Sequence, residues 1–385
     1  MTGVVMLVNE FSPLPIGGAE TQAERLSTYL AAHNWNVWVI TRRAKGLAKN
    51  EQRNGFHIIR PATWGIGKLK TITFLISAFI TLFQMRRHYQ ILHAHLAFGP
   101  ALLAVCLGRL LGKKVIVKLG GSNAIGDIQV SLNTWRGRLR IAAIRHWADV
   151  VIALTEVMQN EALEVGISSQ QIKLMNNGID ANLYRFNQKT KHDAKVNLKV
   201  QNDITIIFIG RLDPVKSLKT AIDALKLSIA TVPNIKLFII GDGPERPNLE
   251  VQVQQHKLEA KVIFTGNQTN IKPYLQAADI FILPSITEGI SNALLEAMAS
   301  GIACIASPVG GNNEVLDHGK FGYMPPVGDA KAWSDAFTEL SKNHDMREKL
   351  GVTARNRVLS TYDFNVVGNG YIELYRTLID KSHHS

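Results

Sequence analysis

Only two cysteines occur among the 385 residues of this chain, Cys106 and Cys304, far apart and each in an apolar neighbourhood. So few thiols exclude a disulfide framework and suit a reducing compartment. No Cys or His takes a metal-ligand spacing, and no Asp-x-Asp element closes a strand-like run. No metal is therefore expected. A bilayer-spanning run is missing too. Ile72 to Phe83, ITFLISAFITLF, has no charge but only twelve residues, too few to span. Met1 to Asn9 enters a strand-like run with no basic stretch before it and no cleavage signal. The expectation is a cytoplasmic chain without a secretory leader. Val4 to Gly18 lacks the GxGxxG fingerprint, which argues against a dinucleotide-dependent oxidoreductase. Neither a short-period repeat nor a low-complexity tract occurs.

Acidic residues are scarce in one half only. Residues 1–190 hold 22 Lys and Arg against 10 Asp and Glu, whereas residues 191–385 hold 21 of each. The net charge of +12 thus sits in the N-terminal half. A one-sided basic half implies an anionic partner: a phospholipid surface, nucleic acid or an anionic substrate. The alternative is a merely solvated basic surface. No recognised nucleic-acid motif accompanies the charge, so no nucleic acid is expected.

What is present is an alternation of short apolar runs with helical stretches. Strands are expected at Val4–Val8, Asn36–Thr41, Phe56–Pro61, Tyr89–His95, Lys114–Leu119, Asp149–Leu154 and Ile172–Met175. Helices are expected at 19–32 and 100–111, and a basic, Trp-bearing segment runs from Thr134 to Trp147. The pattern breaks in a polar, Lys-rich stretch around 182–202 and restarts at Ile204–Ile209, Ile235–Ile240, Val262–Phe264, Ile280–Leu283 and Ile302–Ala306. Helices at 218–230, 247–256 and 292–299 alternate with them. The expected fold is α/β, two doubly wound units in tandem with helices on both faces of parallel sheets. The divisions are 1–182, a linker 183–202, 203–361, and an amphipathic helix in 362–385. Ile72–Phe83, flanked by Lys68, Lys70, Arg86 and Arg87, reads either as a buried helix or as an interfacial one whose basic ends meet lipid head groups.

The chemistry collects at strand ends. Gly210-Arg211-Leu212-Asp213-Pro214-Val215-Lys216 places a guanidinium fork and an ammonium after one strand, a pairing suited to a diphosphate. Gly241-Asp242-Gly243-Pro244 and Thr265-Gly266-Asn267 follow two others. Glu288 stands on the loop after Ile280–Leu283, and Glu296 about a turn into the next helix. Between them, free backbone N–H groups of a helix N-terminus suit an anion. In the first half Gly17-Gly18-Ala19-Glu20 opens a helix similarly. His93 and His95 close a strand, either as ligand contacts or as structural histidines, and a Gly-rich loop runs from Gly120 through Asn123 to Gly126-Asp127.

These stretches, with NNGID at 176–180 and PVGGNNE at 308–314, carry a resemblance that covers nearly the whole chain. It resembles the family 4 retaining glycosyltransferases of GT-B fold, and Glu288 with Glu296 is similar to that family's E-x7-E element. The resemblance implies two Rossmann-like domains facing across a cleft, with the N-terminal one binding the acceptor. The C-terminal one would bind the nucleotide sugar, and the last helix would cross back. Glu288, Arg211 and Lys216 take the catalytic roles, the two cations stabilising the leaving diphosphate. Gly18 would contact that diphosphate, Glu288 the sugar hydroxyls, and Glu296 the ribose. Gly289, Ile290, Ser291 and Asn292 would line sugar and phosphate, and Asn267 in the loop Thr265–Gln268 would meet the base. One departure stands out. Gly120 occupies the place of an acceptor-side histidine found in many members, and His95 or Asp127 could supply part of that role.

The implied activity is metal-independent transfer of a hexose or N-acetylhexosamine from a nucleoside-diphosphate sugar, UDP before GDP, without a bound cofactor. The acceptor would be a saccharide or lipid-linked saccharide of cell-surface polysaccharide or glycolipid synthesis. The enzyme would be cytoplasmic, with an anionic membrane surface as a further partner. A nucleotide-sugar epimerase of the same fold is the alternative. A two-carboxylate glycosidase would not need the cationic clamp.

Overall fold

The structure is a computed structural model that describes residues 2–12, 17–122 and 126–380. Pro13, Pro15 and Asn123 lie outside the described residues. The chain divides into two compact units, Met1–Gly178 with Phe364–Ser385, and Ile179–Asp363.

The first unit runs β1 (Gly3–Leu7), α1 (Gly18–Ala32), β2 (Asn36–Ile40), β3 (Asn50–Arg53), β4 (Phe56–Ile59), α2 (Gly67–Gln84), β5 (Ile91–His95), α3 (Gly99–Leu111), β6 (Lys114–Lys118), α4 (Asp127–Leu132), α5 (Trp135–Trp147), β7 (Val150–Ala153), α6 (Glu156–Glu164) and β8 (Ile172–Leu174). Among the described residues these strands form an eight-stranded sheet in the order β3-β4-β2-β1-β5-β6-β7-β8. All neighbours pair in parallel except β3 with β4. The central strands β1 and β5 are buried throughout. Accordingly β1 reads as an unbroken apolar run, whereas β5 carries two buried histidines, His93 and His95.

Sequence reasoning missed β3, whose residues NEQR are polar. It is an antiparallel edge strand joined to β4 by Asn54-Gly55, both with positive φ, the pair favoured in a tight hairpin. That dipeptide was its only signal. Along α2, Phe74, Ala78 and Leu82 are buried at i, i+4, i+8. The opposite side is apolar as well: Ile72, Ile76, Phe79, Ile80 and Phe83 are 36–55% exposed. One stripe of this helix is therefore packed and the other is open. Among the described residues no helix is long and apolar enough to cross a membrane.

The second unit runs α7 (Gln188–Asn197), β9 (Ile204–Ile209), α8 (Leu218–Ser228), β10 (Ile235–Ile240), α9 (Arg246–Gln255), β11 (Val262–Gly266), α10 (Lys272–Ala277), β12 (Ile280–Leu283), α11 (Asn292–Ala299), β13 (Ala303–Ala306), α12 (Gly311–Val315), α13 (Ala330–Lys342) and α14 (His344–Thr361). Among the described residues its five strands are all parallel, in the order β11-β10-β9-β12-β13. The stretch 183–202 is not a bare linker, since it holds α7. A capping box between Asn187 and Thr190 opens that helix. It buries one small side chain, Ala194, and turns Lys191 and Lys195 onto the buried Asp279 at 2.9 and 2.6 Å. A helix docked by two ion pairs needs few apolar residues, so its composition imitates a linker.

The last helix, α15 (Phe364–Asp380), belongs to the first unit. Its Phe364, Val367, Tyr371, Tyr375 and Leu378 share one core with Val4, Met6, Leu26 and Leu30. Tyr375 meets Trp35 edge-on at 5.4 Å between ring centroids.

Candidate active site

Because the second sheet is wholly parallel, the loops after β9, β10, β11 and β12 leave it at one edge. Backbone bonds zip them together. Leu212 N donates to Asp242 O at 3.0 Å, Gly241 N to Gly266 O at 2.9 Å, and Ile286 N to Val215 O at 2.8 Å. Gly241 has φ +133, and a Cβ there would lie 1.9 Å from Gly210 O. Only glycine lets these two strand exits touch. Gly310 does the same for the loop after β13: its φ is +44 and an added Cβ would lie 1.9 Å from Glu288 O.

Within this edge Lys216 Nζ forms an ion pair with Glu288 Oε1. Ser285 Oγ donates to the same oxygen at 2.7 Å. Ser285 is a participant that sequence reasoning missed, and its signal was the Pro284-Ser285 that closes β12. Arg211 is not drawn into this cluster. Its side chain is 72% exposed and its Nε lies 3.2 Å from Asp213. Ser291 caps α11 by accepting from Leu294 N at 3.3 Å, so Gly289, Ile290 and Asn292 are held at the positive end of that helix. Glu296, buried on α11, accepts from the hydroxyl of Tyr184 at 3.2 Å. Asn267 is exposed after β11. Beside it, Arg246 lies over the Phe264 ring at 5.8 Å and pairs with Asp242 and Glu250 at 3.1 and 2.8 Å.

In the first unit Gly18 is the exposed first residue of α1, after an N-cap without a side-chain bond. His95 is buried, neither of its ring nitrogens has a hydrogen-bond partner among the described residues, and it stacks on His93 at 4.4 Å. His93 Nδ1 lies 2.7 Å from the Tyr375 hydroxyl. Burial, then the nearby His93 and Lys118, holds the His95 pKa well below the usual imidazole range. Burial, then Lys118, does the same to His93. Lys118, Cα partner of His95 across the sheet, is itself pushed down to about 7 by burial, with its ammonium 5.4 Å from the Tyr371 ring. Asp127 is buried, and its carboxylate accepts from Ala97 N at 2.7 Å and Gly120 N at 3.3 Å. Burial raises its pKa to about 6 against those backbone bonds. It therefore ties the exits of β5 and β6 together. At Gly120 an added Cβ would lie 2.1 Å from Leu96 Cδ2, so Leu96, at φ 72, takes the space a larger side chain would need.

Among the described residues no group of three or more His, Cys, Asp and Glu is disposed to hold a metal ion.

Two Rossmann-like units, each with a parallel sheet, are the architecture of the GT-B glycosyltransferases. Residues 16–183 match the family described as Glycosyltransferase Family 4, and residues 189–357 match Glycosyl transferases group 1. The chain belongs to this family of GT-B glycosyltransferases and is a glycosyl-transferring enzyme. It is 27% identical over 364 residues to the N-acetyl-alpha-D-glucosaminyl L-malate synthase of Bacillus anthracis, covering 94% of each chain. It is 28% identical over 239 residues to the putative colanic acid biosynthesis glycosyltransferase WcaL of Salmonella typhimurium, covering 60% of this chain and 57% of that one. Among solved structures, Anabaena HepE in complex with UDP and glucose superimposes with a TM-score of 0.83 at 18% identity, covering 98% of this chain and all of that one.

Proposed function

We propose that the enzyme moves a hexose or N-acetylhexosamine from a UDP-sugar to a saccharide or lipid-linked saccharide. The reaction would retain the anomeric configuration, need no metal, and serve the synthesis of a cell-surface polysaccharide or glycolipid. The observation that carries this reading is the Lys216–Glu288–Ser285 cluster at the N-terminal end of α11. The hard step is departure of a nucleoside diphosphate, with charge growing on its phosphates. Lys216 and the N-terminus of α11 would supply fixed positive charge for that moment, and the exposed Arg211 a further cation. Glu288, its oxygen already engaged by Lys216 and Ser285, suits gripping sugar hydroxyls better than attacking the anomeric carbon. A front-face transfer follows, in which the leaving phosphate helps deprotonate the acceptor. Glu296 would read the ribose, Gly289 to Asn292 the sugar and phosphate, and Asn267 the base. Gly18 would contact the diphosphate, as the resemblance implies, and His95 or Asp127 would supply part of the acceptor-side role left open at Gly120. That contribution would be indirect, because both are buried.

UDP is preferred to GDP because HepE is a UDP complex. The polysaccharide setting is supported by the names of relatives such as WcaL, and the transferase names speak against the epimerase alternative. The lipid-linked acceptor is supported by the open apolar face of α2 beside Lys68, Lys70, Arg86 and Arg87. An anionic membrane surface is the partner that face fits.

The test is a donor panel. Calorimetry with UDP, GDP, ADP and their sugars, in EDTA and in magnesium, should show UDP binding in both. NMR of the product should show the donor's anomeric configuration. Binding only with magnesium, an inverted product, or donor consumption without acceptor would each overturn a stated part.

A further inference from the structure

Tyr184 ends the short 3-10 turn Ala181–Tyr184, six residues beyond the point where the chain leaves the first unit. The turn is held from several sides. Asp180 accepts from Asn182 N at 3.0 Å, and Asp363 accepts from Ala181 N at 3.1 Å. The guanidinium of Arg355 on α14 donates to the carbonyls of Ala181 and Tyr184 at 3.4 Å, and to that of Ala299 on α11. The turn and α11 thus share an anchor. From this anchored turn the phenol reaches across 112 residues of sequence to Glu296 Oε1 at 3.2 Å, and both residues are only 7% exposed.

A Glu carboxylate turns about a broad, two-fold terminal torsion, so a helix alone does not fix the direction of its oxygens. A buried phenol donating to one oxygen does fix it, and hydrogen bonds to a carboxylate are among the stronger ones. We infer that Tyr184 is a positioning residue: its hydroxyl orients Glu296 and so sets how sharply the enzyme distinguishes a ribose from a deoxyribose donor nucleotide. The inference rests on the reading proposed above, that Glu296 receives ribose hydroxyls.

The experiment compares UDP with 2′-deoxy-UDP and 3′-deoxy-UDP by calorimetry, for the wild type, Glu296→Gln and Tyr184→Phe. If UDP does not bind, the tighter of GDP and ADP takes its place. The affinity ratio of ribo to deoxy ligand is the readout. It normalises itself, because partial unfolding weakens both ligands alike. Wild type should favour at least one ribo ligand by about tenfold, the worth of one charge-assisted hydrogen bond. Glu296→Gln should lower that ratio several-fold. Tyr184→Phe should lower it too, raise the donor KM and leave kcat within about twofold. No preference in wild type, or an unchanged ratio in Glu296→Gln, overturns the ribose reading itself. A collapsed ratio in Glu296→Gln beside an unchanged one in Tyr184→Phe overturns the role of Tyr184 alone.

Discussion

Lys216 and Glu288 pair across 72 residues of chain, joining the loop after β9 to the loop after β12, and Ser285 donates to the same carboxylate oxygen. The ammonium and the carboxylate thereby define each other's position before any substrate arrives. A diphosphate would compete for the first and sugar hydroxyls for the second.

This pair gives separable outcomes. Lys216→Met should lower kcat by about 100-fold or more, the usual result of deleting one preorganised donor to a developing charge. Stability should fall by only about 1–2 kcal/mol, because Ser285 still serves the carboxylate. Lys216→Met combined with Glu288→Gln should regain stability but not turnover. Urea denaturation and initial rates measure the two effects, and rescue of the rate by the double variant would refute the assignment.

Gly241→Ala attacks the zipped loops without touching a charge. Its Cβ would meet Gly210 O at 1.9 Å in a backbone conformation that L residues rarely adopt. A destabilisation on the order of 3 kcal/mol is expected, with loss of nucleotide binding at temperatures where the protein is still folded. Differential scanning fluorimetry with and without UDP reads both.

Stability should depend on pH through the buried bases of the first unit. The folded-state pKa of Lys118 is lowered from 10.5 to about 7, so between these values the unfolded chain binds more protons and stability rises with pH. His93 and His95 are lowered from 6.5, so stability also falls as the solution is acidified below that value. Asp127, raised from 3.8 to about 6, acts in the opposite sense between those two values. Lys118→Met should flatten the slope above pH 7 and leave an acid limb, shallower because Lys118 helps to depress both histidines but still present because their burial remains. Urea midpoints from pH 5 to 10 test the sign.

Tyr375 joins α15 to the first sheet through its bond to His93 and its packing on Trp35. Tyr375→Phe should cost about 1–2 kcal/mol through the lost hydrogen bond, and Tyr375→Ala about 3–5 kcal/mol through the cavity. Chains ending at Asp363 should fail to fold the first unit, which tryptophan fluorescence and limited proteolysis would reveal.

The open side of α2 carries Ile72, Ile76, Phe79 and Phe83. From residue 52 to 148 the only acidic residue is Asp127, against fourteen Lys and Arg, and Asp127 is buried. Vesicles of phosphatidylcholine with phosphatidylglycerol should sediment the protein at low salt, and pure phosphatidylcholine vesicles should not. Ile76→Glu with Phe79→Glu should abolish sedimentation and leave activity on a soluble acceptor intact. Equal recovery with neutral and anionic vesicles would defeat this reading.

Strands at 204–209, 235–240 and 280–283 coincide with their apolar runs to the residue. A strand buried on both faces shows its length directly in composition. Polar elements escaped detection: β3 is an exposed hairpin edge, and α7 is held by ion pairs. The candidate site was legible as residue types at strand ends, because a parallel sheet sends every such loop to one edge. Its pairings were not. Lys216 and Arg211 look alike on one loop, yet only Lys216 reaches Glu288. His95 and Asp127 looked available, yet both are buried.

By itself the sequence determined the α/β class, the family and the sheet edge where the candidate site residues gather, because hydrophobic periodicity and loop composition are local properties. The tertiary structure alone decided which charge meets which. It drew Tyr184 to Glu296 and Lys216 to Glu288, left Arg211 in solvent, and closed α15 over His93. Those outcomes depend on distances between residues far apart in the chain, and such distances exist only once the sheets have formed.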